Sequence, residues 1–169
     1  MSNSIKRAIA RWQSLGVPLN PPASAQDLAA LAAFVGYSLP DALRGYDELA
    51  DGMAKDETDD YLVHFWPIGR VLSEHDKRLG NDERGAYCDV AFADFLIDSW
   101  RFYLQLRSSA ALSVYSEGGG PEVASLEEFF SFHLSEPCSI SSHARRLTSG
   151  CSRPRPRRYF SSREDRSCY

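Results

Sequence analysis

Four histidines, His64, His75, His133 and His143, are the side chains of this 169-residue chain best suited to proton transfer near neutral pH. His75 stands between Glu74 and Asp76, and an imidazole flanked by carboxylates suits a general base or a share in a metal site. Sequence neighbours rarely converge on one point, and no spacing elsewhere supplies the distant partners an enzyme would need. The triplet reads as a solvated loop. His64 falls in a candidate strand and His133 in a candidate helix, where packing or surface placement is the simpler use. Asp56, Thr58 and Asp60 imitate the opening of a calcium loop, but Tyr61 stands where the turn glycine belongs and Pro67 where the bidentate glutamate belongs. Gly118-Gly119-Gly120 lacks the Lys-Ser/Thr step of a phosphate loop. No catalytic, cofactor-binding or metal-ligating residue is therefore assigned, and no cofactor is expected.

Charge is more informative. Between Asp41 and Asp60 stand Asp41, Asp47, Glu48, Asp51, Asp56, Glu57, Asp59 and Asp60, against Arg44 and Lys55. A field of one sign accelerates capture of an oppositely charged partner, although such runs also serve plain solubility. The candidate partner-binding residues are Asp56, Glu57, Asp59 and Asp60, with Tyr61 and Trp66 as aromatic anchors beside them. Phe65 and Tyr87 have the same potential, and all four aromatics could equally be core. The net charge of −4 hides a division: residues 1–142 hold 11 Lys and Arg against 21 Asp and Glu, whereas residues 143–169 hold 8 Arg against Glu164 and Asp165.

The elements that must position these groups follow from periodicity. Trp100, Phe102, Leu104 and Leu106 alternate with Arg101, Tyr103 and Gln105, the pattern of a strand with one dry face. Val90 to Leu106 reads as two strands joined by a bend at Asp98-Ser99. Ahead of it, Ile5, Ile9, Trp12 and Leu15 mark an amphipathic helix that ends at Gly16. Ser24 caps a second helix with Asp27 as a partial capping box, and Gly36 closes it. Leu39 to Gly52 reads as a third helix with Pro40 at its first position, and Tyr61 to Trp66 as the first main strand. Ile68 to Leu72 crosses to the next element, and Ser73 to Gly85 reads as a mixed-charge loop or short helix. A last strand lies near Ala111 to Ser116. Ser125 then caps a helix from Leu126 to Leu134, whose Phe129 and Phe130 can cover the sheet.

Hydrophobic residues make up 43% and charged residues 25%, ordinary values for a globular chain long enough to bury roughly 70% of its unfolded surface. No apolar run approaches the roughly 20 residues of a membrane span, and the N-terminus lacks a signal-peptide core, so a cytoplasmic location is expected. Cys88, Cys138, Cys151 and Cys168 show no pairing pattern and read as reduced thiols. The Arg-, Ser- and Pro-rich stretch 141–169 cannot bury enough apolar surface to order itself and is expected to be a disordered tail behind a domain spanning 1–140. Arg153-Pro-Arg-Pro-Arg-Arg158 suits contact with nucleic acid, anionic lipid or the chain's own acidic body.

Taken together, Leu39-Pro40 with Leu43, Tyr46 and Leu49, then Asp51-Gly52, Phe65-Trp66-Pro67-Ile68, Phe92-Ala93-Asp94, Val114-Tyr115 and Ser125-Leu126-Glu127-Glu128-Phe129-Phe130 form an ordered set. That set resembles the SUKH superfamily over residues 24–137. Asp51 stands where the family usually has Asn, and Leu126 where an aromatic is usual. The resemblance implies an α+β fold, an antiparallel sheet with helices packed around it. It implies an immunity protein that binds and neutralises a partner toxin, basic if the acidic field is its counterpart. A regulatory scaffold, as in the cell-wall-assembly regulators of the same superfamily, is the alternative. Neither implies a catalytic set, and the expected partner is a protein, with no small-molecule substrate and no membrane. A deep pocket of converging ionisable groups would count against this reading.

Overall fold

The structure is a computed structural model that describes residues 3–96, 98–109, 111–117 and 122–135. The expected tail, the Gly118–Pro121 turn, His143, Cys138, Cys151 and Cys168 lie outside the described residues. Three helices come first: α1 (Asn3–Ser14), α2 (Ala25–Val35) and α3 (Asp41–Asp47). Strand β1 (Val63–Phe65), helix α4 (Ile68–Glu74) and strand β2 (Lys77–Asp82) follow. Strands β3 (Gly85–Phe95), β4 (Trp100–Arg107) and β5 (Leu112–Ser116) and helix α5 (Leu126–Ser135) complete the α+β domain. Among the described residues no helix is long and apolar enough to cross a membrane.

All strand pairs are antiparallel, with β3, β4 and β5 adjacent in that order. On the outer side of β3, β2 pairs with its first half and β1 with its last three residues, so the two lie end to end. The bend at Asp98-Ser99 joins β3 to β4 as the alternation predicts. Three expectations need correction. Strand β1 covers only Val63–Phe65 of the expected Tyr61 to Trp66. Helix α3 begins at Asp41, after Pro40 as its N-cap, and stops at Asp47, short of Gly52. The 68–85 region is the helix α4 and the strand β2, not a crossing and a loop. Strand β2 (KRLGND) shows little apolar alternation because it is an edge strand exposed for nearly its whole length, with Leu79 73% exposed.

Cross-strand partners share a face. Val63, Phe65, Val90, Phe102, Leu104 and Val114 line the helix-covered side, and a bulge at Phe92 resets the alternation of β3. Phe65 is the centre of the aromatic packing, touching Trp12 of α1 at 4.7 Å between ring centroids, and Phe130 and His133 of α5 at 5.5 Å. Residues from both ends of the described chain thus close on one ring. The capping box at Ser24 and Asp27 forms as the spacing predicts, with Gly36 at φ +80° ending α2.

Gly52 joins two of the segments that carry the family resemblance. Its φ is +67°, and a Cβ there would lie 2.6–2.7 Å from the backbone of Phe65, Trp66 and Pro67. Next to it, Asp51 Oδ1 accepts a 2.7 Å hydrogen bond from the Ile68 amide at the start of α4, and the Met53 amide donates to the Phe65 carbonyl at 2.8 Å. Gly52→Ala should cost about 3 kcal/mol in urea denaturation, through positive φ and overpacking together.

Asp47 is buried at the end of α3, and its Oδ2 has no hydrogen-bond partner among the described residues. Burial, with repulsion from Asp51 and Glu48, pushes its carboxyl well above the ordinary value of 3.8. The folded state therefore holds this proton more tightly than the unfolded state. The resulting stability is fully present below the unfolded value and is lost as pH rises through the folded one. Asp47→Asn should raise stability at pH 7 by about 1 kcal/mol or more and leave it nearly unchanged at pH 3, as read from urea midpoints at the two pH values.

Candidate functional site

The acidic loop leads from the turn after α3 into β1, and its carboxylates divide between inside and outside. Asp59, read from the sequence as a partner-binding residue, is 3% exposed. Its Oδ2 accepts from His133 Nε2 at 2.5 Å and Trp12 Nε1 at 3.3 Å, and its Oδ1 from the amides of Tyr61 and Val63 at 2.9 and 3.0 Å. All its visible bonding capacity is spent inward. Trp66 is likewise 3% exposed, so it is no surface anchor. Its indole N–H donates to Asp94 at 2.5 Å, while the guanidinium groups of Arg70 and Arg101 lie 4.1 and 5.2 Å from its ring centroid. Asp56, Glu57 and Asp60 remain exposed, Asp60 in an ion pair with Arg11. Tyr61 is half-buried, its ring edge-on to His133 at 5.2 Å.

The second face of the sheet is polar and is covered largely by its own side chains. Cross-strand register places Arg78, Asp89, Asp94, Arg101, Tyr103, Gln105 and Tyr115 there. Tyr103 is fully buried beneath this layer: Arg78 lies over its ring at 4.4 Å and Tyr115 stacks on it at 5.3 Å. The Tyr103 hydroxyl donates to Asp76 at 2.7 Å, and Arg101 Nη1 binds the same carboxylate at 2.9 Å. Burial opposes ionisation of Asp76, but the bonds from Tyr103 and Arg101 override it and hold the carboxyl below its ordinary range. The Arg78 hydrogen bond does the same for Glu117. Farther along, Arg107 pairs with Asp82 at 2.7 Å, and Gln105 donates to Asp89 at 3.1 Å.

Where this face meets the acidic loop there is a cleft of about 570 Å³, lined in part by Lys55, Asp56, His64, Arg70, Glu74 and Asp94. Ionisable groups do converge here, but they are committed largely to one another. Arg70 lies 3.1 Å from Asp94, 3.6 Å from Glu74 and 3.7 Å from Asp98. Asp94 also accepts the Trp66 indole and the Asp98 amide. No nucleophile is hydrogen-bonded to a base among the described lining residues, the arrangement acyl or phosphoryl chemistry would call for. Nor do the described residues contain three His, Cys, Asp or Glu side chains grouped to hold a metal.

His75 stands apart from its neighbours' carboxylates. It is exposed at the C-cap of α4 with φ +52°, its ring 6.2 Å from Phe34, while Glu74 and Asp76 both turn to Arg101. The imidazole of the Glu74-His75-Asp76 triplet is thus not held between the two acids. Sequence reasoning passed over Arg70, Arg78 and Glu117, and named Asp76 only as a flank of His75 and Asp94 only within a family motif. The polar phase of the β4 alternation pointed to Arg101 and Tyr103, but no signal in one chain pairs them with residues of α4 and β2. No family model matches this sequence, and no curated protein matches it.

Asp59→Ala should destabilise the fold by about 3–5 kcal/mol, because His133 and two amides would lose a buried partner. A double-mutant cycle with His133→Ala, read by urea denaturation, should give strong coupling; additive losses would show that the two side chains act independently.

Proposed function

We propose that this chain is a SUKH-like immunity protein that binds a basic bacterial toxin in the cytoplasm and neutralises it by covering its working surface, without bond chemistry of its own. The observation that carries the reading is the placement of the exposed Asp56 and Glu57 beside a pinned, charged sheet face. In the ion-pair layer of that face the carboxylates Glu74, Asp76, Asp82, Asp94, Asp98 and Glu117 outnumber the guanidinium groups Arg70, Arg78, Arg101 and Arg107. A toxin that grips phosphates presents cations, and such a surface accelerates its capture. Side chains already held by ion pairs and ring stacking lose little further freedom on binding. The contact of Gly52 with Phe65, Trp66 and Pro67 gives the resembling motifs a shared physical role and supports the family reading.

Co-expression with a toxin gene lying immediately upstream should restore growth to cells that the toxin alone arrests. Failure of rescue, together with capture of housekeeping enzymes, would move the assignment to a regulatory scaffold. Replacing Asp56, Glu57 and Asp60 by lysine should slow toxin association about tenfold or more at low salt, the difference shrinking as salt is added. Unchanged stopped-flow association would remove the loop as a steering surface.

A further inference from the structure

The cleft beside the acidic loop has a hydrogen-bonding capacity of one kind left over. His64 is 4% exposed, and its Nδ1–H donates to the carbonyl of Glu57. In the neutral ring this leaves Nε2 as an acceptor, and Nε2 has no partner among the described residues. Asn20 lines the same cleft, and its amide nitrogen is committed to the carbonyls of Asp51 at 3.0 Å and Met53 at 2.8 Å, so its oxygen is what remains. The Asp56 carboxylate at the rim is exposed and carries no ion pair among the described residues.

On the other side of the balance, the Arg70 charge is surrounded by the carboxylates of Asp94, Glu74 and Asp98. The Lys55 ammonium and the Thr58 hydroxyl are the remaining side-chain donors on the described lining, and Lys55 is exposed. The open nitrogen of a buried imidazole, an amide oxygen and a carboxylate on the lining of one cleft call for a ligand rich in donors and positively charged.

We infer that this cleft is a binding site for the guanidinium of an arginine side chain, presented by a protein partner. The site stands on the cleft's own chemistry; only the carrier of the arginine rests on the toxin-binding reading. The guanidinium is favoured over a compact ammonium because its planar fork reaches several acceptors at once.

The test is an NMR titration of the full ¹⁵N-labelled chain with N-acetylarginine amide, following the backbone amides of residues 55–58 and the His64 ring, with inorganic phosphate as the opposing probe. Saturable shifts at millimolar concentrations are expected for the arginine derivative and not for phosphate. Asp56→Asn, which tolerates the left-handed backbone at φ +64°, should weaken binding about threefold or more. Lys55→Ala should strengthen it by removing a competing cation, whereas an anion site would be weakened by the same change. His64→Phe should abolish the shifts at residues 55–58, and its thermal melt reports whether the fold is kept; should it not fold, the two rim variants still decide. No saturable shift, tighter binding of phosphate, or weaker arginine binding in Lys55→Ala would overturn the site. Arginine uptake without growth rescue keeps the site and removes the toxin reading, and rescue without uptake does the reverse.

Discussion

The Asp59 carboxylate is the constraint on which the rest of this fold depends. A buried carboxylate is costly unless its oxygens are bonded, and this one is answered by His133 from α5, Trp12 from α1 and two amides at the entry to β1. The two helices come from opposite ends of the described chain, so one side chain pins both to the strand that starts the sheet. It also sets the loop. With Asp59 turned inward, the preceding Asp56 and Glu57 are left facing solvent at the mouth of the cleft. The structural acid and the accessible acids are separated by only a few residues.

The sheet is held differently on its two sides. The helix-covered side is held by area: Phe65, Phe92, Phe102, Phe129 and Phe130 form a continuous aromatic cluster in edge-on and stacked contacts. The other side is held by pairing, with Arg101 bridging Glu74, Asp76 and Asp98, and Arg78 bridging Asp76 and Glu117. Exposed pairs of this kind each contribute little, roughly 1 kcal/mol or less, and their value here lies in order more than in stability. They lock Tyr103 and Trp66 beneath a layer of guanidinium groups. The outcome is a charged surface whose side chains are already placed before anything binds.

That division also accounts for the cleft. Arg70 reaches it from α4, His64 and Asp94 from the paired strands β1 and β3, and Asp56 from the loop, so no single element contains it. Its carboxylates Glu74 and Asp94 are occupied by the chain's own Arg70, which leaves only a few acceptors open on its lining. The His64 ring, oriented by the Glu57 carbonyl, is the least committed buried group in it.

Much of the architecture was legible from spacing. The hairpin of β3 and β4, the helices α1, α2 and α5, the Ser24 cap and the Gly36 stop follow from period, capping residues and glycine placement, which are local rules. Strand β2 was not legible, because an edge strand with solvent on both faces has no need of apolar alternation. Within the candidate site, the exposure of Asp56, Glu57 and Asp60 followed from the charge run, but Asp59 belongs to the same run and is buried. Composition cannot distinguish them: whether an acid faces in or out depends on whether a donor such as His133, 74 residues away, is brought beside it. Trp66 is the same case, since only pairing of β1 with β3 sets Asp94 against its indole. The sequence by itself determined most of the elements and the acidic character of this chain; only the tertiary structure decided which carboxylates hold the fold and which are left at the surface, because that choice is made by contacts between residues far apart in the chain.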